Sequence, residues 1–365
     1  MISSEISSVG DHFMIGLRPG TVLDARDRRL LLELKPAGVI LFKSNFRHDL
    51  PYAGWLDSHE ALIQSIREAC GRERLFVAID HEGGRVCRTP PPITRFAYAA
   101  RWAATAEKVG EVMGRELASL GINLNFAPVL DINSNPQNPV IGERAFGANA
   151  EAVIAAALPF FKSLERQGVR ACGKHFPGHG DTKVDSHQAL PVLDLDEAAL
   201  EARELRPFRA AAASGIGMIM TSHILIPAID PDNPVTLSRR LTAGLLRQKI
   251  GFAGVIVSDD VGMHAMDGRL DGADAGARFL AAGNDVLMIC SHLTDTDRAR
   301  GFARSMLRAI EAGVLDPSDI AASRLRIRTM LEATPQHAVR PLSDGVLASH
   351  RNAGTLFDAG TVEVV

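Results

Sequence analysis

Eight short apolar runs, each followed by a longer segment of helical pattern, constrain this chain more than any other feature. The runs are "HFMIGL" (12–17), "AGVILF" (37–42), "LFVAID" (75–80), "INLNFAPVLD" (122–131), "VRACGKHF" (169–176), "GMIMTSH" (217–223), "GVIVSDD" (254–260) and "NDVLMI" (284–289). Their residues are apolar on both faces, as parallel strands covered by helices require, whereas half-exposed antiparallel strands alternate. The intervening segments carry helix punctuation. "SHEALIQSIREACG" (58–71) opens on Ser58 and closes on Gly71, and the stretches 106–121 and 151–168 also close on glycine. Segments 241–252 and 274–283 continue the alternation. Eight βα units in 365 residues point to a single (β/α)8 TIM-like barrel, with a doubly wound open sheet as the competing architecture. Two further helical stretches follow the eighth strand. The expected division is a catalytic barrel over 1–333 and a tail or surface extension over 334–365.

Placement of charge along these units points to an enzyme. Asp80 ends the third run, Asp131 the fourth, Lys174 and His175 the fifth, His223 the sixth, and Asp259 and Asp260 the seventh. In a parallel barrel the active site is built at the C-terminal ends of the strands, and random surface charge would not select that end repeatedly.

The densest cluster is "KHFPGHGDTKVDSHQALP" (174–191), with three histidines, two aspartates and two lysines. A metal held by His175, His179, His187 and Asp185 is one reading, but Pro177, Gly178 and Gly180 oppose the helix that would put His175 and His179 on one face. The glycines fit close approach of backbone to substrate, without the spacing of a phosphate loop. The acid–base reading accounts for more residues. In extended backbone Asp185 and His187 share a face, so the carboxylate can hold the imidazole's tautomer and support its protonated form, and histidine titrates where a group that gives and takes a proton should. Asp259 or Asp260 supplies a carboxylate on the same rim, and local chemistry leaves the two equal. "AIDHEGGRVCR" and "NPVIGERAF" add further carboxylates and guanidinium groups suited to sugar hydroxyls.

These stretches, with "GVILFKSNF", "MTSHILIPAID" and "GFAGVIVSDD", resemble bacterial β-N-acetylglucosaminidases of glycoside hydrolase family 3, the NagZ type, in the family's order and over nearly all of residues 12–290. The resemblance implies a retaining hydrolase on one (β/α)8 barrel that removes terminal β-linked N-acetylglucosamine. It assigns Asp259 as nucleophile, His187 as acid/base paired with Asp185, and Asp80, Arg88, Arg144, Lys174 and His175 as the residues that hold the sugar. It implies no cofactor and no metal, and a small carbohydrate partner, an N-acetylglucosamine-containing muropeptide. The chain departs from the family at His81, where a glutamine is common, and at "VGMHAMDGR" after the paired aspartates, which brings His264 toward the site.

The remaining numbers exclude other classes. A net charge of −3 with interspersed signs offers no nucleic-acid or anionic-membrane footprint. No apolar run reaches the length of a membrane span, and no secretory pattern opens the sequence. Four scattered cysteines suit a reducing compartment, so the expectation is a cytoplasmic protein. Competing functions are a phosphorylase using the same dyad, a metal-dependent amidohydrolase on the same barrel, and a sugar-binding protein without catalysis.

Overall fold

The computed structural model describes residues 6–186 and 188–351. Eight parallel strands close in chain order: β1 (Phe13–Gly16), β2 (Gly38–Leu41), β3 (Phe76–Ile79), β4 (Leu124–Asn125), β5 (Arg170–Phe176), β6 (Met218–Thr221), β7 (Val255–Asp260) and β8 (Val286–Cys290). Closure comes from β1 and β8, which pair Phe13 with Leu287 through Gly16 with Cys290. The open-sheet alternative is therefore wrong. All eight apolar runs form strands.

Alternation along the strands sorts their side chains into two cores. Met14, Ile40, Phe76, Ala78, Val255, Val257, Val286, Met288 and Cys290 fill the barrel interior, while their neighbours Ile15, Val39, Val77, Ile256 and Leu287 face the surrounding helices. This double burial is why the runs read as continuously apolar. The interior is packed solid, so the chemistry is confined to the rim.

The outer ring consists of α1 (Ala25–Leu34), α2 (Tyr52–Cys70), α3 (Ala106–Ser119), α4 (Ala150–Arg166), the short pair α5 (Glu197–Ala202) and α6 (Leu205–Ala213), α7 (Arg240–Lys249), α8 (Ala275–Ala281) and α9 (Arg298–Glu311). Sequence-local signals set most of the ends. The Asn149 side chain accepts from Ala152 N–H at the start of α4 (2.9 Å), and Gly71 takes the left-handed conformation that stops α2. α2 starts six residues before the expected Ser58, directly after Pro51, so Ser58 lies inside the helix and caps nothing. The gain is Trp55, fully buried with its Nε1 donating to Pro91 O (2.9 Å). α7 is wound more loosely than an α-helix, with Gly244 N–H bonding Arg239 O and Ile250 N–H bonding Leu245 O.

β4 is shorter than the run that predicts it. Its chain continues beside β5 through bonds from Cys172 N–H to Ala127 O (3.0 Å) and Lys174 N–H to Pro128 O (3.1 Å). Pro128 has no N–H to return, which breaks the regular ladder.

Helix α10 (Pro317–Ala333), capped by Asp316, closes the N-terminal end of the barrel with Ile327, Met330 and Leu331 against the interior core. Residues 334–351 run back along α3. Arg340 N–H bonds Ser119 O (2.8 Å), and α11 (Asp344–Arg351) places His350 Nδ1 3.0 Å from Glu116 Oε1. Among the described residues no helix is long and apolar enough to cross a membrane.

Candidate active site

The C-terminal rim gathers most of the residues that the sequence singles out. Asp80 follows β3 and Lys174 lies within β5, and the Lys174 ammonium bridges Asp80 Oδ1 (2.7 Å) and Glu82 Oε1 (2.6 Å). Glu82 in turn receives both arms of the Arg144 guanidinium, Nε to Oε2 and Nη2 to Oε1, each 2.8 Å. Lys174 and Glu82 are buried, with side-chain exposures of 3% each. Burial alone would discharge such groups. Here the effect of burial on Glu82 is outweighed by Arg144 and Lys174, and its carboxyl stays well below the usual carboxylate range. Burial likewise works against the Lys174 ammonium, but Asp80 and Glu82 outweigh it and hold the group protonated.

A second network lies beside it. His175 Nδ1 donates to Asp131 Oδ2 (2.6 Å), and Asp131 Oδ1 accepts from the backbone N–H groups of His175 (3.1 Å) and His179 (2.7 Å). Asp131 is fully buried; the rise that burial causes is overcome by His175 and the hydrogen bonds around it, leaving its pKa lowered. His179 Nδ1 is hydrogen-bonded to Thr182 Oγ1 (2.7 Å) and its Nε2 lies 3.3 Å from Ser186 Oγ. Burial, then the neighbouring His175, press the His179 pKa down to about 4, so the ring is neutral near physiological pH. His175 and His179 thus spend ring nitrogens on side chains of their own loop network, and their rings meet edge to face at 6.0 Å.

This network shapes the loop that follows β5. Asn138, from the turn-rich "INSNPQNP" segment, donates to His179 O (2.8 Å) and Thr182 O (3.0 Å), while its own Oδ1 accepts from Val140 and Ile141 N–H. Gly180 packs on the Ile132 carbonyl so closely that a Cβ would lie 1.6 Å from the oxygen. Gly180→Ala is therefore expected to lift the loop and lower kcat/KM by about 10²-fold or more, since displacements on the order of 1 Å carry that cost; hydrolysis assays with thermal melting of the same variant check it.

Further along, Ser186 O accepts from Ala265 N–H (3.2 Å), pinning the loop to the segment after β7. Asp185 is half-buried, its carbonyl closing a turn with Gln188 and Ala189 N–H. His187 lies outside the described residues.

On the other side of the rim Asp259 and Asp260 end β7, and the structure separates them. Asp260 is buried. Its Oδ1 accepts from Gly262 N–H (2.9 Å) and Cys290 N–H (3.1 Å), and burial raises its pKa to about 7. Asp259 is half-buried, with Oδ1 accepting from Asp260 N–H (2.8 Å). A half-buried carboxylate at a strand end suits a nucleophile; a carboxyl tied to two backbone N–H groups suits a structural role.

Arg88 stands apart from the Glu82 network. It lines a cleft of about 520 Å³ with Phe42, Phe46, His48 and His292, and its buried Nε has no hydrogen-bond partner among the described residues. His264, which the sequence brings toward the site, carries an exposed side chain bonded to Asp267 (2.9 Å). His81 is buried, with Nε2 3.9 Å from Cys87 Sγ.

Sequence reasoning passed over three organising residues as members of the site: Glu82, Asp131 and Asn138. The first two carried a readable signal, a carboxylate at or just past a strand end. Asn138 carried none, because its role depends on a loop 41–44 residues away.

A buried glutamate lies beneath the same loop. Glu204 Oε1 accepts from Arg203 Nε (2.6 Å), Arg203 also pairs with Asp181 of the loop, and Glu204 Oε2 faces Gly178 with no hydrogen-bond partner among the described residues. Burial raises the Glu204 pKa to about 7. Between the ordinary glutamate value and about 7 the folded protein holds a proton that the unfolded chain has lost, so stability falls as pH rises through that window. Glu204→Gln is expected to remove this slope and to gain about 1–3 kcal/mol over the parent above the window; denaturant melts at several pH values measure it.

Comparison with known proteins fits this geometry. The sequence profile of the glycosyl hydrolase family 3 N-terminal domain matches residues 16–330. Beta-hexosaminidase A of Pseudoalteromonas piscicida is 35% identical over 340 residues, which make up 87% of this chain and 56% of that protein. This chain therefore spans little more than half of that relative. A beta-hexosaminidase of Neisseria meningitidis serogroup C is 38% identical over 293 residues, 76% of this chain and 78% of that one. Among solved structures, a family 3 beta-N-acetylglucosaminidase from Paenibacillus superposes with a TM-score of 0.84 at 32% identity, over 95% of this chain and 68% of that chain. NagZ from Neisseria gonorrhoeae in complex with N-trifluoroacetyl-D-glucosamine superposes with a TM-score of 0.74 at 30% identity, over 94% and 96%. With a family match over most of its length and a relative 38% identical over 78% of that relative's length, the chain belongs to glycosyl hydrolase family 3.

Proposed function

We propose that the protein is a retaining exo-β-N-acetylglucosaminidase that releases terminal β-linked N-acetylglucosamine. The observation that carries this reading is the Asp80–Lys174–Glu82–Arg144 network, on the same C-terminal rim as Asp259. It presents fixed charged donors and acceptors to a polar, neutral ligand at the C-terminal rim, as sugar hydroxyls demand. The names of the relatives, beta-hexosaminidases and a beta-N-acetylglucosaminidase, support the choice of sugar.

In this reading Asp80, Arg88, Arg144, Lys174 and His175 hold the sugar. Asp259 attacks the anomeric carbon and forms a covalent glycosyl-enzyme, while His187 gives its proton to the departing glycosidic oxygen. His187 then takes a proton from the incoming water, which cleaves the glycosyl ester and restores Asp259. Asp185 supports the imidazolium in the first step, as the orienting carboxylate does in other triads. The half-buried placement of Asp259 beside a structurally committed Asp260 supports the assignment of the nucleophile. Muropeptide fragments are the proposed substrates and the cytoplasm the proposed setting. Residues 1–333 form the catalytic barrel in this proposal, with 334–365 as its extension.

The deciding experiment is nitrophenol release from the 4-nitrophenyl β-glycosides of N-acetylglucosamine and glucose, side by side, with EDTA and with and without inorganic phosphate. Release from the N-acetylglucosaminide alone, independent of phosphate, is expected. Phosphate-dependent turnover yielding sugar phosphate would replace the hydrolase by a phosphorylase, and dependence on added metal would overturn the dyad mechanism.

A further inference from the structure

A second cluster of chemistry-bearing residues lies at the C-terminal rim of the barrel, and the mechanism does not use it. Cys290 ends β8 on its inward face, opposite Gly16 of β1. A Cβ on Gly16 would lie 2.7 Å from Cys290 Sγ, so the glycine makes room for the thiol. Asp260 ends the adjacent strand. Its Oδ1 is fixed by two backbone N–H groups, whereas Oδ2 is buried without a hydrogen-bond partner among the described residues. His292 follows Cys290 by two residues and stands exposed at the rim, its ring centroid 4.4 Å from that of Phe42. One ligand atom from each of Asp260, Cys290 and His292 lies within 4.8 Å of the other two.

We propose that Asp260, Cys290 and His292 bind a thiophilic divalent cation of the zinc class. A sulfur, an imidazole nitrogen and a carboxylate oxygen form the donor set that zinc takes when three protein ligands leave a fourth position open, and the sulfur disfavours magnesium and calcium. Tetrahedral zinc at about 2.0–2.3 Å from each donor holds them roughly 3.3–3.8 Å apart, so the contraction the cluster needs is at most about 1.5 Å. His292 is the one exposed member of the three. On binding, Cys290 gives its thiol proton to solvent, and the thiolate and the Asp260 carboxylate together neutralise the ion. The buried Oδ2 then has a partner.

Asp260 N–H donates to Asp259 Oδ1, and His292 shares its cleft with Arg88. An ion at this point competes with sugar binding, so the site is inhibitory. That clause rests on the hydrolase reading; the binding site does not.

The test uses Co²⁺ as a spectroscopic probe on the purified full chain, with Zn²⁺ in competition. One equivalent of cobalt is expected to produce a thiolate-to-metal charge-transfer band that zinc displaces. Cys290→Ser is expected to abolish the band, His292→Ala to weaken zinc binding at least tenfold, and Cys87→Ser to leave both unchanged. His292 is exposed, so its variant folds even where a barrel-interior substitution does not. No band in the parent at excess cobalt, or a band and zinc affinity indifferent to His292→Ala, overturns the site. Zinc that binds with this signature yet leaves turnover unchanged overturns the inhibitory clause alone, and a chain inactive on every glycoside but showing the band would fail the hydrolase reading and keep the site.

Discussion

Asp259→Asn lowers kcat for the 4-nitrophenyl N-acetyl-β-glucosaminide by about 10⁴-fold or more, equivalent to about 5.5 kcal/mol of lost transition-state stabilisation. The amide cannot form the glycosyl ester, and the change removes little volume, so thermal melting should report an intact fold. Asp260→Asn is the informative contrast. Its oxygen can still accept from Gly262 and Cys290 N–H, and activity within about tenfold of the parent is expected if only this structural role is lost. The reverse ranking of the two variants would mean that the wrong carboxylate has been assigned as nucleophile. Nitrophenol release and mass-spectrometric trapping of the covalent intermediate read out both variants.

Glu82→Ala is expected to destabilise the fold by about 3–5 kcal/mol, because it leaves the Arg144 and Lys174 cations buried without their shared anion. Replacing one member of a buried ion network costs more than the network contributes as a whole. The pH dependence has a defined sign. The folded pKa of Glu82 is held well below the ordinary value, so its contribution is complete above the unfolded glutamate pKa and is lost as pH falls from there toward the folded value. The gap between parent and Glu82→Ala in urea melts should therefore be constant near neutrality and narrow in acid. A variant as stable as the parent at neutral pH would show that the cations find other partners.

The two carboxylates illustrate different limits of reading a sequence. Asp259 and Asp260 are adjacent and chemically identical, and only their surroundings separate them: two backbone N–H groups and burial for one, partial exposure for the other. Glu82 sat in a stretch noticed for its charge, but nothing local reveals that Arg144, 62 residues on, and Lys174 converge on it. The strand ends were legible because each is a local event, an apolar run terminated by a polar residue. The start of α2 was not legible, since Trp55 draws the helix toward Pro91 by a contact outside its own segment. β4 is short for a local reason that the sequence carries in Pro128, which has no N–H for the ladder.

Composition and periodicity alone determined that this chain builds eight βα units and places its titratable residues at one end of them, because both are properties of single segments and of the pleat that alternates side chains across a strand. The tertiary structure alone decided that the sheet closes through β1 and β8, that Asp131 and Asn138 shape the loop after β5, and that a buried carboxylate, a thiol and an imidazole meet at the rim. Those arrangements join residues from separate units, and burial makes each of them depend on partners that no single stretch of sequence contains.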